Sequence, residues 1–154
     1  MKKIILAQFL ATTAFMAFSG AHAAEETKSK YGVTPFGQIR YRYEHVDQDG
    51  LNNKANASTA RVNVGLKTDK FHDFQGLVEL QAVQHLGNDN FNDGINGKTT
   101  YPAVSDPNNA EINQLWASWS GLPGFEAKLG RQIVNWDNQR FVGSVDWRQN
   151  DQTL

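Results

Sequence analysis

Arg40 and Arg42 stand two residues apart, and Arg61, Lys67 and Lys128 recur in two further stretches where polar and apolar residues alternate. Guanidinium and ammonium groups ranged along one surface do not break bonds. They attract and guide anions, most strongly in a narrow polar passage with low-dielectric walls, and Arg adds a planar fork that fits carboxylates. Glu44, Glu79 and Glu126 fall in the same register. The opposing expectation is therefore a face whose charges cancel in pairs.

Bond chemistry finds little support. The four histidines, His22, His45, His72 and His85, show no H-E-x-x-H spacing, and there is no G-x-S-x-G elbow and no phosphate-binding glycine loop. Cysteine is absent, which removes thiol catalysis, thiolate metal sites and a disulfide scaffold together. Asn88-Asp89-Asn90-Phe91-Asn92-Asp93-Gly94 is rich in oxygen donors, but its spacing is not that of an EF-hand and no late Glu completes it, so it reads as a solvated loop. No enzyme, cofactor or metal is expected.

Residues 1–23 have the three parts of a secretory leader. Lys2 and Lys3 come first, a mostly apolar run covers 4–18, and Ala21-His22-Ala23 fits the cleavage pattern. Without Lys2 and Lys3 the 15 basic residues fall to 13 against 16 acidic ones, a formal charge of −3. A nucleic-acid partner would call for a basic domain. Residues 24–33 read as a flexible lead-in.

From residue 34 onward the alternation has period two. Gln38, Arg40, Arg42 and Glu44 interleave with Ile39, Tyr41 and Tyr43, which is a strand with one charged and one apolar face. Strands are predicted at 34–46, 59–67, 75–84, 112–120 and 125–132, with a sixth beginning at 148. Long loops (47–58, 87–110, 133–147) alternate with short turns (68–73, 121–124). Outer-membrane barrels show that rhythm, with charged residues facing an aqueous bore and apolar ones facing lipid. The lipid side would carry Val62, Val64, Leu66, Leu115, Ala117 and Trp119. Phe71, Phe74, Trp119 and Phe125 would gird the rim at the turn end. Parity leaves Arg131 on the lipid side, which predicts a bulge or a rim position there. The sequence thus predicts an all-β antiparallel transmembrane barrel, exported to a bacterial outer membrane. Asn56-Ala57-Ser58, an N-glycosylation acceptor by spelling, carries no weight in such a cell.

Leu129-Gly130-Arg131-Gln132, Asp137-Asn138-Gln139-Arg140-Phe141, Gly143-Ser144, Trp147-Arg148-Gln149-Asn150 and Gln152-Thr153 form a specific string. With Ile112-Asn113-Gln114 and the Gly-Leu-Pro-Gly turn, it resembles the amino-terminal third of the alginate-export family of outer-membrane barrels. The resemblance implies a monomeric barrel of roughly sixteen to eighteen strands. Its lumen would pass anionic small molecules or an anionic polysaccharide. It also implies that Arg140 and Arg148 touch solute, and that Arg131, Asp137, Asn138 and Gln149 belong to a folded-in loop network. The 154 residues supply about six strands, whereas the smallest barrels need about eight. Residues 34–154 are therefore expected to be the first part of a barrel. The competing expectation is a secreted periplasmic or surface β-domain that binds carbohydrate through Trp116, Trp136 and Trp147. It would pack Leu115, Ala117 and Trp119 into a core instead of exposing them.

Overall fold

The computed structural model describes residues 32–145 and 147–154. The expected leader and most of the lead-in lie outside them. Five strands form one antiparallel sheet in sequence order: β1 (Val33–Val46), β2 (Ala55–Thr68), β3 (Phe74–Asn90), β4 (Asn109–Leu122) and β5 (Phe125–Arg131). Each strand pairs only with its sequence neighbours. This is a partial β-barrel, an open sheet with β1 and β5 as its edges.

The two faces of the sheet invert the rule of soluble sheets, which bury the apolar side. On β2, Thr59, Arg61 and Asn63 are buried, while Val62, Val64 and Leu66 are exposed. β1 repeats this: Ile39 is 79% exposed, and Tyr41 and Tyr43 also face outward. β3 buries Glu79 and Gln81 and exposes Leu80. Leu115 is 53% exposed and Leu129 84%. Trp119 is half-buried and Ala117 exposed. None of the three residues on which the soluble alternative depends lies in a packed core.

Three register shifts break the strict alternation. One falls between β2 and β3 near Ala57 and Thr59. Another lies between β4 and β5 at the turn end, between Trp119 and Leu122. The third lies on β4, where Glu79 pairs with Gln114 but Leu80 pairs with Ile112, leaving Asn113 as the extra residue. The extra residue sends Ile112 outward, and Asn113 and Gln114 both towards Glu79. Alternation carried through without that step would have put Ile112 on the charged face.

The strands at the loop end run further than the sequence suggests. β2 starts at Ala55 and β3 continues to Asn90. Their extra turns of backbone are backed by the second loop, residues 91–108. Phe91 and Val104 pack there on Ala55 and Ala57, with Val46 beside them. This small cluster is the apolar core; small alanines on β2 leave room for the Phe91 ring. At the opposite end Phe74 pairs with Trp119, Phe71 exchanges backbone hydrogen bonds with Phe74, and Phe125 pairs with Leu122. The four aromatics are thus gathered at the turn end.

No sixth strand forms across 148–154. Leu154 alone exchanges two backbone hydrogen bonds with Gln132, at 2.8 and 3.0 Å. Residues 147–151 instead lie across the charged face, and the backbone carbonyls of Trp147, Arg148 and Gln149 are taken by arginine side chains of β1 and β2.

Candidate functional site: an arginine cluster under a folded-in segment

Arg40 on β1 and Arg61 on β2 are directly paired across the ladder. Like charges in that position repel. The segment 147–151 supplies the acceptors that make the pairing tolerable. Arg40 donates to the carbonyls of Arg148 (3.2 Å) and Trp147 (2.9 Å), and Arg42 donates to the Trp147 carbonyl at 2.6 Å. Arg61, only 7% exposed, donates to the Gln149 carbonyl at 3.3 Å and to the Asp151 carboxylate at 2.5 Å. One carbonyl thus serves two guanidiniums, and one guanidinium serves two residues of the segment. Trp147, Arg148 and Gln149, whose carbonyls are engaged in this way, stand outside the sheet ladder.

Gln149 is the plug of the arrangement. It is fully buried, and its side-chain amide donates to the Thr59 carbonyl and hydroxyl, both at 3.1 Å. Its backbone N–H donates to Asp106 at 2.9 Å. Arg148 comes within 3.3 Å of Glu44 and 3.7 Å of Asp106, and Arg42 pairs with Glu44 and lies 3.6 Å from Asp106. The Arg42 and Arg148 guanidiniums stand 5.3 and 4.0 Å from the centre of the exposed Trp147 ring, within reach of its π face.

Of the residues singled out by sequence, Arg40, Arg42, Arg61, Arg148 and Gln149 come together here. Lys67 and Lys128 continue along the same face towards the turn end. Lys67 is exposed, and the Lys128 ammonium lies 4.4 Å from the Trp116 ring centre. Arg140, Asp137 and Asn138 do not join the cluster. They sit exposed in and beside a turn at Asp137–Gln139, where three successive non-glycine residues have φ of +50°, +52° and +64°. Asp and Asn are the types that tolerate this left-handed conformation best, which explains that part of the string by backbone need.

Arg131 resolves the parity problem through its neighbours. It pairs in register with outward-facing Leu115, yet its guanidinium reaches Glu111 at 2.6 Å and the Thr153 hydroxyl at 2.5 Å. Glu111 pairs with buried Gln81, so the charge is drawn to the polar side. Gly130, with φ +119°, permits the turn of backbone just before it; a Cβ at that position would collide with the Leu115 carbonyl oxygen. The bulge expected here lies on the partner strand, at Asn113.

The three glutamates behave differently from one another. Glu44 pairs with Arg42 and Arg148. Glu79, buried, uses one carboxylate oxygen to accept from the amides of Asn63 (3.3 Å), Asn113 (2.6 Å) and Gln114 (3.5 Å). Glu126 forms no ion pair among the described residues. Asp106 and Asp151 join Glu44 in meeting the arginines of the cluster, and sequence reasoning missed both. Asp106 stands in an Asp-Pro-Asn-Asn stretch that reads as an ordinary turn.

The family model described as Gram-negative porin matches residues 11–150 of this chain. No curated protein and no solved structure gives a match.

Proposed function

Because the chain belongs to the Gram-negative porin family, an outer-membrane channel family, we propose that its five strands wall a bore narrowed by the segment 147–151 and biased towards anionic solutes. The observation that carries this reading is the convergence of Arg40, Arg42, Arg61 and Arg148 on one patch of the charged face. Carbonyl oxygens take part of their hydrogen bonding without cancelling formal charge, and Glu44, Asp106 and Asp151 offset three of the four charges, which leaves the patch with a formal excess of one. Lys67 and Lys128 extend the positive line towards the turn end. A full charge turned to lipid costs about 2–4 kcal/mol near the midplane, so these cations belong on the water-filled side.

The open edges of β1 and β5 bear on the size of the conducting unit. Lipid cannot satisfy unpaired strand backbone, so the closed wall needs more strands than these five. An anionic polysaccharide of the alginate type is the finer form of the proposal. It draws on the sequence resemblance, and small anions are its coarser form.

The test is reversal potential across a planar bilayer in a salt gradient. Replacing Arg40, Arg42 and Arg61 together with Gln is expected to move the channel towards cation preference. Lys67→Gln with Lys128→Gln, which leaves the folded-in segment anchored, is expected to move it the same way by less. Ion preference unchanged in both variants would refute the anionic bias.

A further inference from the structure

Asp106 lies outside every strand, in the second loop, yet it is fully buried. One carboxylate oxygen accepts the backbone N–H of Gln149 at 2.9 Å. The other has no hydrogen-bond partner, but faces the guanidiniums of Arg42 and Arg148 at 3.6 and 3.7 Å. The two residues that follow are gripped as well. The Pro107 carbonyl accepts from the Asn150 side chain at 3.1 Å, and the Asn108 side chain accepts the His85 backbone N–H at 2.7 Å. The His85 ring nitrogen contacts the Asp106 carbonyl at 2.9 Å. The strip 106–108 is therefore clasped by β3 on one side and by residues 149 and 150 on the other.

We propose that Asp106 is the latch by which the second loop holds the folded-in segment 147–151 against the wall. It is a positioning residue that couples the two loops and sets the width of the bore. The proposal rests on the channel reading for its meaning in transport, though the latch itself is a statement about structure. Most of the arginine contacts grip interchangeable backbone carbonyls, while Arg61, through Asp151, also grips a side chain of the segment. Asp106 instead meets a backbone N–H and faces two cations from a fully buried position, where charge-assisted contacts are strong. Gln149, pinned from above by Asp106, is then driven into Thr59 below. A change in the second loop that moved Asp106 would release Gln149 and widen the passage.

The chain has no cysteine, so one introduced thiol reports cleanly. Thr59 is 1% exposed and lies beneath Gln149. In the porin carrying Thr59→Cys, the rate of labelling by a water-soluble thiol reagent is measured with Asp106 intact and with Asp106→Ala or Asp106→Asn. Single-channel conductance and reversal potential are recorded on the same proteins after heat-modifiable gel mobility has shown a folded barrel. Asp106→Ala is expected to speed labelling and raise conductance. Asp106→Asn keeps an oxygen for the Gln149 N–H but leaves Arg42 and Arg148 less compensated, so it is expected to raise anion preference with a smaller change in labelling. It also carries the test should the alanine variant not assemble. Equal labelling rates in all three proteins would overturn the latch whether or not the channel conducts. Faster labelling in a protein that conducts nothing would uphold the latch and count against the channel reading alone.

Discussion

Val64→Arg tests the sidedness on which every functional statement depends. Val64 lies on β2 between Gly37 of β1 and Leu80 of β3, and is 51% exposed. A strand rises about 3.3 Å per residue and tilts by about 40° in a barrel, so each residue advances roughly 2.5 Å along the membrane normal. The apolar band, about 25 Å tall, therefore takes up about ten residues of β2. The outward run of Ala60, Val62, Val64 and Leu66 falls within it, and Val64 lies near its middle. Arginine there is expected to cost about 2–4 kcal/mol in lipid, which lowers the folding equilibrium constant roughly 30-fold to several-hundred-fold. Val64→Leu keeps the surface apolar and is expected to stay within about 0.5 kcal/mol of the parent. On a soluble sheet the same half-exposed position would accept arginine within about 0.5 kcal/mol as well. The assay is denaturant unfolding of the porin in lipid vesicles, followed by tryptophan fluorescence. If Val64→Arg and Val64→Leu unfold at the same denaturant concentration, the apolar face does not meet lipid and the reasoning fails.

Three further outcomes follow from packing. Gly65 lies beneath the Phe36 ring, and a Cβ there would also stand 2.6 Å from the Val78 carbonyl oxygen. Gly65→Ala is expected to cost about 1–3 kcal/mol in the same unfolding assay, with only partial recovery on adding Phe36→Ala because the carbonyl stays in place. Glu79→Ala strands the buried amides of Asn63 and Asn113, along with that of Gln114, and is expected to cost about 2–5 kcal/mol. Glu79→Gln keeps an acceptor and should cost clearly less; equal losses would show that the amides do not depend on Glu79. In the second loop, Asp93 accepts the N–H groups of Ile95 and Asn96 at 2.8 and 2.7 Å. Asp93→Ala is expected to speed protease cutting within 91–108 by roughly 5- to 30-fold, the factor that about 1–2 kcal/mol of lost local stability gives.

The faces of the strands were legible because side-chain direction has period two and each face meets one solvent. Ile39, Tyr41 and Tyr43 had to share a side, and Arg40 and Arg42 the other, before any pairing was known. Chain order was legible for a related reason: two short turns force antiparallel neighbours. The bulge at Asn113 was not. It changes the count by one residue and leaves no mark in composition, and its cause is a contact across strands with Glu79. The position of Arg131 was half legible, since the parity conflict was visible but its resolution through Glu111 and Gly130 was not. The string shared with the alginate-export group pointed to an outer-membrane barrel, and the match to the Gram-negative porins bears out that much and nothing finer.

The fate of residues 147–151 shows where local reading stops. Trp147-Arg148-Gln149-Asn150 has no property that forbids a strand. What decides its path is a pair of like charges far away in the chain. Arg40 and Arg61 face each other across the ladder, and Arg42 stands beside them. Three guanidiniums offer many donors. The carbonyls of residues 147–149 accept from all three, and Asp151 adds charge where Arg61 needs it. The gain is non-local, since it comes from residues about 90 to 110 positions earlier in the chain. The cation cluster thus has two consequences from one cause. On the proposed channel reading, it recruits the polypeptide that narrows the bore, and it leaves positive charge lining what remains open. Any variant that neutralises the arginines should therefore change width and ion preference together, whereas one at Lys67 or Lys128 should change preference alone.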